Sequence, residues 1–211
     1  MKDADLKYLK VLSKQYPNIP AAATEIVNLK AILSLPKATE HFITDIHGEY
    51  EQFRHVMNNG SGAIQRKIED EFGNTLGIPD KRTLATLVYY PERKLEQIQE
   101  KLTARENLED FYRVTIFRLI RLCKNASSKY TRSKVRKSLP KDFAYIIEEL
   151  MTGRPDVTDQ EAYYNEIINS VISTGRASDL IIDFCNLIRR FTVDHLHVLG
   201  DILSLIHIYE H

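Results

Sequence analysis

The sequence predicts an α/β protein in which helix far outweighs strand, and three observations carry that reading. An apolar run from Phe42 to Thr44 ends in Asp45-Ile46-His47-Gly48. A second segment alternates polar and apolar residues from Asp194, then runs through Val198-Leu199 into Gly200-Asp201. Between the two, from Ala63 to Arg190, apolar residues recur mainly every three or four positions, the period of amphipathic helices. Strand, helix and strand in that order suit a parallel pair joined by a crossover. Here the connection is far longer than one helix, so an inserted helical subdomain is expected.

Each element has its own signal. Leu6, Leu9 and Leu12 open a short amphipathic helix. Ala21 to Leu35 reads as a second, with Ile26, Leu29, Ile32 and Leu33 on one side and Pro36 ending it. The first strand follows, at Phe42–Asp45. Alternate side chains of an extended strand share a face, so Asp45 and His47 are expected to project together from its end. Gly48 allows a sharp turn, and a helix with Tyr50, Phe53 and Met57 follows. Asn58-Asn59-Gly60-Ser61-Gly62 is a break.

The insertion then shows Leu95, Ile98 and Leu102 at helical spacing, followed by Phe111, Thr115, Leu119 and Leu122. Tyr164, Ile167, Ile168, Val171 and Ile172 mark another helix, closed near Gly175. Ser178 or Asp179 is the expected cap of the next, with Leu180, Ile181, Phe184, Leu187 and Ile188 as its buried face. The resulting organisation is a core segment over residues 1–62, a helical insertion over 63–192 and a second core strand over 193–202. No internal repeat or low-complexity segment is found.

At 211 residues the chain is long enough for one domain with a sizeable core, or one domain plus an insertion. Apolar content of 43% and charged content of 27% are those of an ordinary soluble protein. With 29 basic and 29 acidic residues, only local charge informs about partners. Cys123 and Cys185 lie in apolar helical contexts and read as buried free thiols rather than a disulfide or a zinc pair. The N-terminus lacks the apolar core of a signal peptide, and no apolar run approaches the roughly 18–20 residues of a membrane span. A cytoplasmic protein with no membrane partner is expected.

A carboxylate and an imidazole two residues apart suit a first-row divalent metal. Ligand sites in open α/β sheets lie at the carboxyl ends of strands, so parallel strands would bring Asp201 beside Asp45 and His47. A carboxylate there can bridge two metals about 3.5–4 Å apart, a pair that serves in-line displacement at phosphorus. Spacing alone leaves a second reading open, because Gly-Asp is also an ordinary turn and a histidine near a strand end is often simply hydrogen-bonded. His55, His195 and His197 are not assigned as ligands.

From Arg121 to Lys141 there are eight basic residues and no acidic one. This stretch reads as a solvated face balanced by acidic neighbours, as a site for a phosphorylated ligand with Arg132, Lys134 and Arg136 as its candidates, or as a nucleic-acid contact. Aromatic interleaving is thin beyond Tyr130, which makes nucleic acid the weakest of the three.

The run Lys30-Ala31-Ile32-Leu33, then Thr39-Glu40-His41-Phe42, Asp45-Ile46-His47-Gly48-Glu49-Tyr50 and Asn59-Gly60-Ser61-Gly62 resembles the class III fructose-1,6-bisphosphatases of bacteria. So do Arg82–Leu87 with Tyr89-Tyr90-Pro91, Ser128–Lys137, and the segment Asp194–Ile202, all in the family's order. The resemblance implies a calcineurin-like metallophosphoesterase core with a helical insertion, of which only the first strands would be represented here. It implies removal of the 1-phosphate of fructose 1,6-bisphosphate, a step of gluconeogenesis, with manganese as the metal. Asp45, His47 and Asp201 fall on the family's first metal-ligand motifs.

The chain departs from the pattern after Ile202. The family continues with an aromatic residue and Asp-Arg-Gly, whereas Leu203-Ser204-Leu205-Ile206-His207-Ile208 stands here. That hexapeptide resembles the translated end of a transposon adapter used in sequencing libraries. Residues 203–211 are therefore read as a non-native tail, the alternative being a divergent native segment. The chain is expected to be an N-terminal fragment, inactive by itself, whose catalytic groups lie beyond it. The rival reading is a helical interaction module that uses residues 121–141 as its contact surface. Whether the protein forms a homo-oligomer is left open.

Overall fold

Two helices, α1 (Asp3–Gln15) and α2 (Ile19–Leu33), form a first unit that closes at Lys37, and the rest of the chain from Ala38 forms a second. The structure, a computed structural model, describes residues 3–153 and 160–203. The division between Lys37 and Ala38 is one that the sequence pattern does not mark.

In the first unit, Asn18 caps α2 by accepting a hydrogen bond from the Ala21 N–H at 2.9 Å, and Pro20 stands in the first turn, where its missing N–H costs nothing. The helix stops two residues short of Leu35. There the Ser34 N–H reaches back to the Ala31 carbonyl and the Leu35 N–H to the Ile32 carbonyl. The expected apolar side is present, yet none of its residues is buried: Ile26, Leu29, Ile32 and Leu33 are all exposed.

The second unit begins with β1 (Glu40–Ile43) and continues through α3 (Tyr50–Asn59), α4 (Ala63–Phe72), α5 (Ile78–Tyr89), α6 (Pro91–Lys101) and α7 (Arg105–Ser127). It closes with α8 (Arg132–Ser138), α9 (Ala144–Thr152), α10 (Glu161–Ser173), α11 (Ala177–Thr192) and β2 (His195–Val198). The strands are parallel neighbours, with Glu40 opposite His195 and Ile43 opposite Val198.

The core is helical. α11 packs chiefly along α7, where Ile116, Leu119, Leu122 and Cys123 meet Leu180, Ile181, Phe184 and Ile188, all at 0% exposure. Ile64, Val88, Ile147, Leu150 and Ile168 from the surrounding helices complete it. Each such side chain taken out of water contributes about 1.5–3 kcal/mol, so the insertion holds most of the burial that stabilises this unit. Both cysteines are buried and free, and burial pushes the Cys123 thiol up to about 12. They are packing residues, as read from their surroundings.

Element edges differ from expectation in two places that matter. β1 runs from Glu40 to Ile43 rather than from Phe42 to Asp45, so the Asp-x-His motif lies beyond the strand. α11 starts at Ala177 with Arg176 at the cap, so Ser178 and Asp179 fall in the first turn, where Asp179 accepts from Arg176 Nε at 2.6 Å. The proposed non-native tail lies outside the described residues except for Leu203. No helix among the described residues is long and apolar enough to cross a membrane.

Candidate metal centre

The site starts from where the strands stop. The Leu199 N–H donates to the Ile43 carbonyl at 2.8 Å, the last rung of the parallel pair, and both chains then turn toward each other. At Gly200 the two backbones approach closely. A Cβ there would lie 2.1 Å from Asp45 Oδ1 and 2.8 Å from the Thr44 carbonyl carbon, a separation that no side-chain-bearing residue tolerates. The Gly-Asp pair is therefore set by a contact with the first motif, beyond any role in a turn.

Backbone hydrogen bonds then lace the motifs together. The Asp201 carbonyl accepts from the Ile46 and His47 N–H groups at 2.8 and 3.2 Å, and the Ile202 carbonyl accepts from Gly48 at 2.9 Å. The Asp201 N–H donates to Asp45 Oδ1 at 3.0 Å, which orients the carboxylate. Asp45, His47 and Asp201 each present one ligand atom, and the three atoms lie within 4.8 Å of one another.

Asp45 and His47 come together by a different route from the strand alternation expected of them. His47 has φ +51° and Gly48 has φ +77°, two successive left-handed residues. The first is uncommon for any residue but glycine and is more often found at functional sites. This turn brings His47 Nε2 to 3.9 Å from Asp45 Oδ1. Two carboxylates and an imidazole are hard and borderline donors suited to manganese, iron or zinc, and their exposure leaves room for further ligands. The residues present thus fit a divalent cation. Beside them lies a cavity of about 310 Å³ lined by Asp45, His47, Glu49, Gln52 and Phe53.

The opposite ends of the strands carry a buried polar cluster. Asp194, immediately before β2, accepts from Lys129 Nζ, from the Tyr130 hydroxyl and, at 2.8 Å, from the Thr39 N–H before β1. The Lys129 and Asp194 side chains are only 7% and 4% exposed. Burial pushes the Asp194 carboxyl up, but the bonds from Lys129, Tyr130 and Thr39 outweigh it and hold the group below the usual carboxylate range. His41, also buried, lies 3.0 Å from the Ser61 hydroxyl through Nδ1. Burial first, then the charges of Lys129 and Arg66, lower its pKa. Sequence reasoning singled out neither Asp194 nor His41. The available signal was an acidic residue directly ahead of a strand, paired with Lys129-Tyr130 inside a basic run.

The other candidates are dispersed. Arg136 bonds Glu148 through Nε and Nη2 at 2.9 and 2.6 Å, Arg121 pairs with Glu71, and Lys134 sits 3.9 Å above the Tyr130 ring. Arg132 and Arg136 line one cavity, and Lys134 does not. His55 stacks on Tyr90 and meets its hydroxyl at 2.6 Å. His197 stacks on Phe42, with ring centres 4.7 Å apart. None of these histidines joins the Asp45 group.

Comparison with known proteins adds a further finding. The chain matches, over residues 7–204, the family model described as Firmicute fructose-1,6-bisphosphatase. A curated relative named fructose-1,6-bisphosphatase class 3 from Clostridium botulinum (strain Hall) is 59% identical over 198 residues, which is 94% of this chain and 29% of the relative. One of the same name from Alkaliphilus metalliredigens is 58% identical over 201 residues, 95% of this chain and 30% of its own length. The chain thus spans under a third of the length of the curated relatives it matches. No solved structure matches it.

Proposed function

The chain belongs to the Firmicute fructose-1,6-bisphosphatase family, and from that premise we propose that its Asp45–His47–Asp201 group is part of a centre that hydrolyses fructose 1,6-bisphosphate to fructose 6-phosphate and phosphate. The observation that carries this reading is the convergence of three ligand atoms within 4.8 Å from motifs at the ends of two parallel strands. Such placement suits a metallophosphoesterase core, of which β1 and β2 are the portion present.

Manganese is the proposed metal, as two ions, and when bound it supplies positive charge to the phosphoryl oxygens of the substrate. The chain's own residues hold and orient. Asp45, His47 and Asp201 are the ligands, and the Asp201 N–H fixes the Asp45 carboxylate. The left-handed turn at His47 aims the imidazole across the Asp45 carboxylate. The cavity beside Asp45 and His47 leaves one side of the group open.

The three exposed ligands found among the described residues do not satisfy two octahedral ions, so affinity in the 211-residue chain is expected to be low and turnover negligible. The test is a chimera in which the remaining sequence of the Clostridium botulinum relative follows Ile202. Manganese-dependent phosphate release from fructose 1,6-bisphosphate is expected from the chimera. It should be lost on Asp45→Ala or Asp201→Ala and be absent from the 211-residue chain alone. An active chimera indifferent to both substitutions would refute the assignment of the ligands.

A further inference from the structure

The basic stretch that the metal centre leaves unused folds around a cavity. About 390 Å³ in volume, it lies between the end of α7, α8 and α9, within the roughly 300–1,000 Å³ range of small-molecule sites. Among the described residues, Lys124, Arg132 and Arg136 contribute three cations to its lining against one carboxylate, Glu148, with Lys124 Nζ donating to the Gly153 carbonyl at 3.1 Å. Val135 and Met151 provide apolar wall. It shares no lining residue with the cavity beside Asp45 and His47.

The two arginines keep donors available. Arg136 commits Nε and Nη2 to one oxygen of Glu148, which uses two of the five N–H groups of a guanidinium. Arg132 is exposed and has no hydrogen bond or ion pair among the described residues. Planar guanidinium groups match the oxygens of a phosphate, and charge-assisted bonds of this kind are the strong ones. A nucleic-acid track fits less well. The Tyr130 ring, the aromatic group of this lining, already has Lys134 3.9 Å from its centre, so it is not an open platform for a base.

We propose that this cavity binds a small phosphate monoester, with Arg132 and Arg136 on the phosphate and the carbon skeleton against Val135 and Met151. The site is separate from the metal centre, and its occupancy does not depend on a metal.

Calorimetric titration of the metal-free 211-residue protein tests the proposal, with glycerol 3-phosphate, inorganic phosphate and glycerol as probes. Glycerol 3-phosphate is expected to saturate one site, inorganic phosphate to bind more weakly and glycerol not to bind. Arg132→Gln should weaken glycerol 3-phosphate about tenfold, the scale of one lost charge-assisted bond. Arg136→Gln should do the same, and Asp45→Ala should change nothing. Arg132 holds no other group in place among the described residues, so its variant is expected to fold as the parent does. The proposal is overturned by an absence of saturation, by unchanged affinity in Arg132→Gln, or by loss of binding in Asp45→Ala. Inorganic phosphate binding as tightly as the ester would overturn the role given to the apolar wall.

Discussion

The helical body and the strand pair of the second unit make opposite use of their residues. In the body, Ile116, Leu119, Leu180, Phe184 and Ile188 are wholly buried, and no chemistry is assigned to any of them. At the strand ends, Asp45, His47 and Asp201 are all exposed and form, among the described residues, a group of ligand atoms that could hold a metal. Phe42 on β1 is itself 61% exposed. The region that carries the chemistry is therefore not the one that holds the fold. One feature joins them, the buried Lys129–Asp194 cluster at one end of the strands; at the other end, the close backbone contact at Gly200 ties the two motifs to each other.

That division can be broken from either side. The largest effect is expected in the body. Phe184→Ala should destabilise the second unit by about 3–5 kcal/mol, read from urea unfolding followed by circular dichroism. A smaller loss would mean that the core collapses around the gap or holds the unit less firmly than its burial implies. Next comes the connection. Lys129→Met leaves Asp194 buried without its cation and should cost about 3–5 kcal/mol, whereas Lys129→Met with Asp194→Asn, which removes the charge and keeps an acceptor for Tyr130 and Thr39, should recover much of it. A double variant as unstable as the single one would show that the pair does more than neutralise itself.

Gly200→Ala addresses the contact between the two motifs. Overpacking costs typically about 1–3 kcal/mol, and here it falls on the contact between Asp45 and Asp201, so manganese affinity should drop at least tenfold, by roughly 1.4 kcal/mol or more. The helical circular dichroism signal should be unchanged. A parallel fall in helix content would erase the distinction between the two regions.

The smallest effect concerns pH. Burial lowers the His41 pKa below 6.5 in the folded state, so the unfolded chain binds more protons through that range. Stability is thus fully present above about pH 6.5 and declines as pH falls toward the folded value. Asp194, held below 3.8, adds a second decline only below about pH 4. His41→Gln should flatten the thermal midpoint between pH 7 and pH 5 while leaving the lower transition in place.

Much of this was legible in the chain because periodicity reports burial. The α11 face read from Leu180, Ile181, Phe184, Leu187 and Ile188 is buried at every position. The two strands also follow from short patterns, and so, once the strands pair in parallel, does the gathering of Asp45, His47 and Asp201. What the pattern could not give was the path of the backbone. Asp45 and His47 were expected to share a strand face, and a left-handed residue at His47 brings them together instead. Such a turn rests on hydrogen bonds to Asp201 and Ile202, which are remote in sequence. The Asp194 cluster was obscure for the same reason, since its partners Thr39 and Lys129 lie 155 and 65 positions away. α2 shows the converse: its apolar side formed a helix as expected, but periodicity does not say whether a face finds cover.

The hydrogen bond from Asp201 to Asp45 spans 156 positions of chain. During synthesis at about 5–20 residues per second, the first motif waits on the order of ten seconds before its partner exists. Through that interval the nascent chain has no way to gather these three ligands around a metal. Under the proposed assignment, ion capture by them is deferred until the whole insertion has been made, so a loaded centre would be a record that everything between its two halves has been translated.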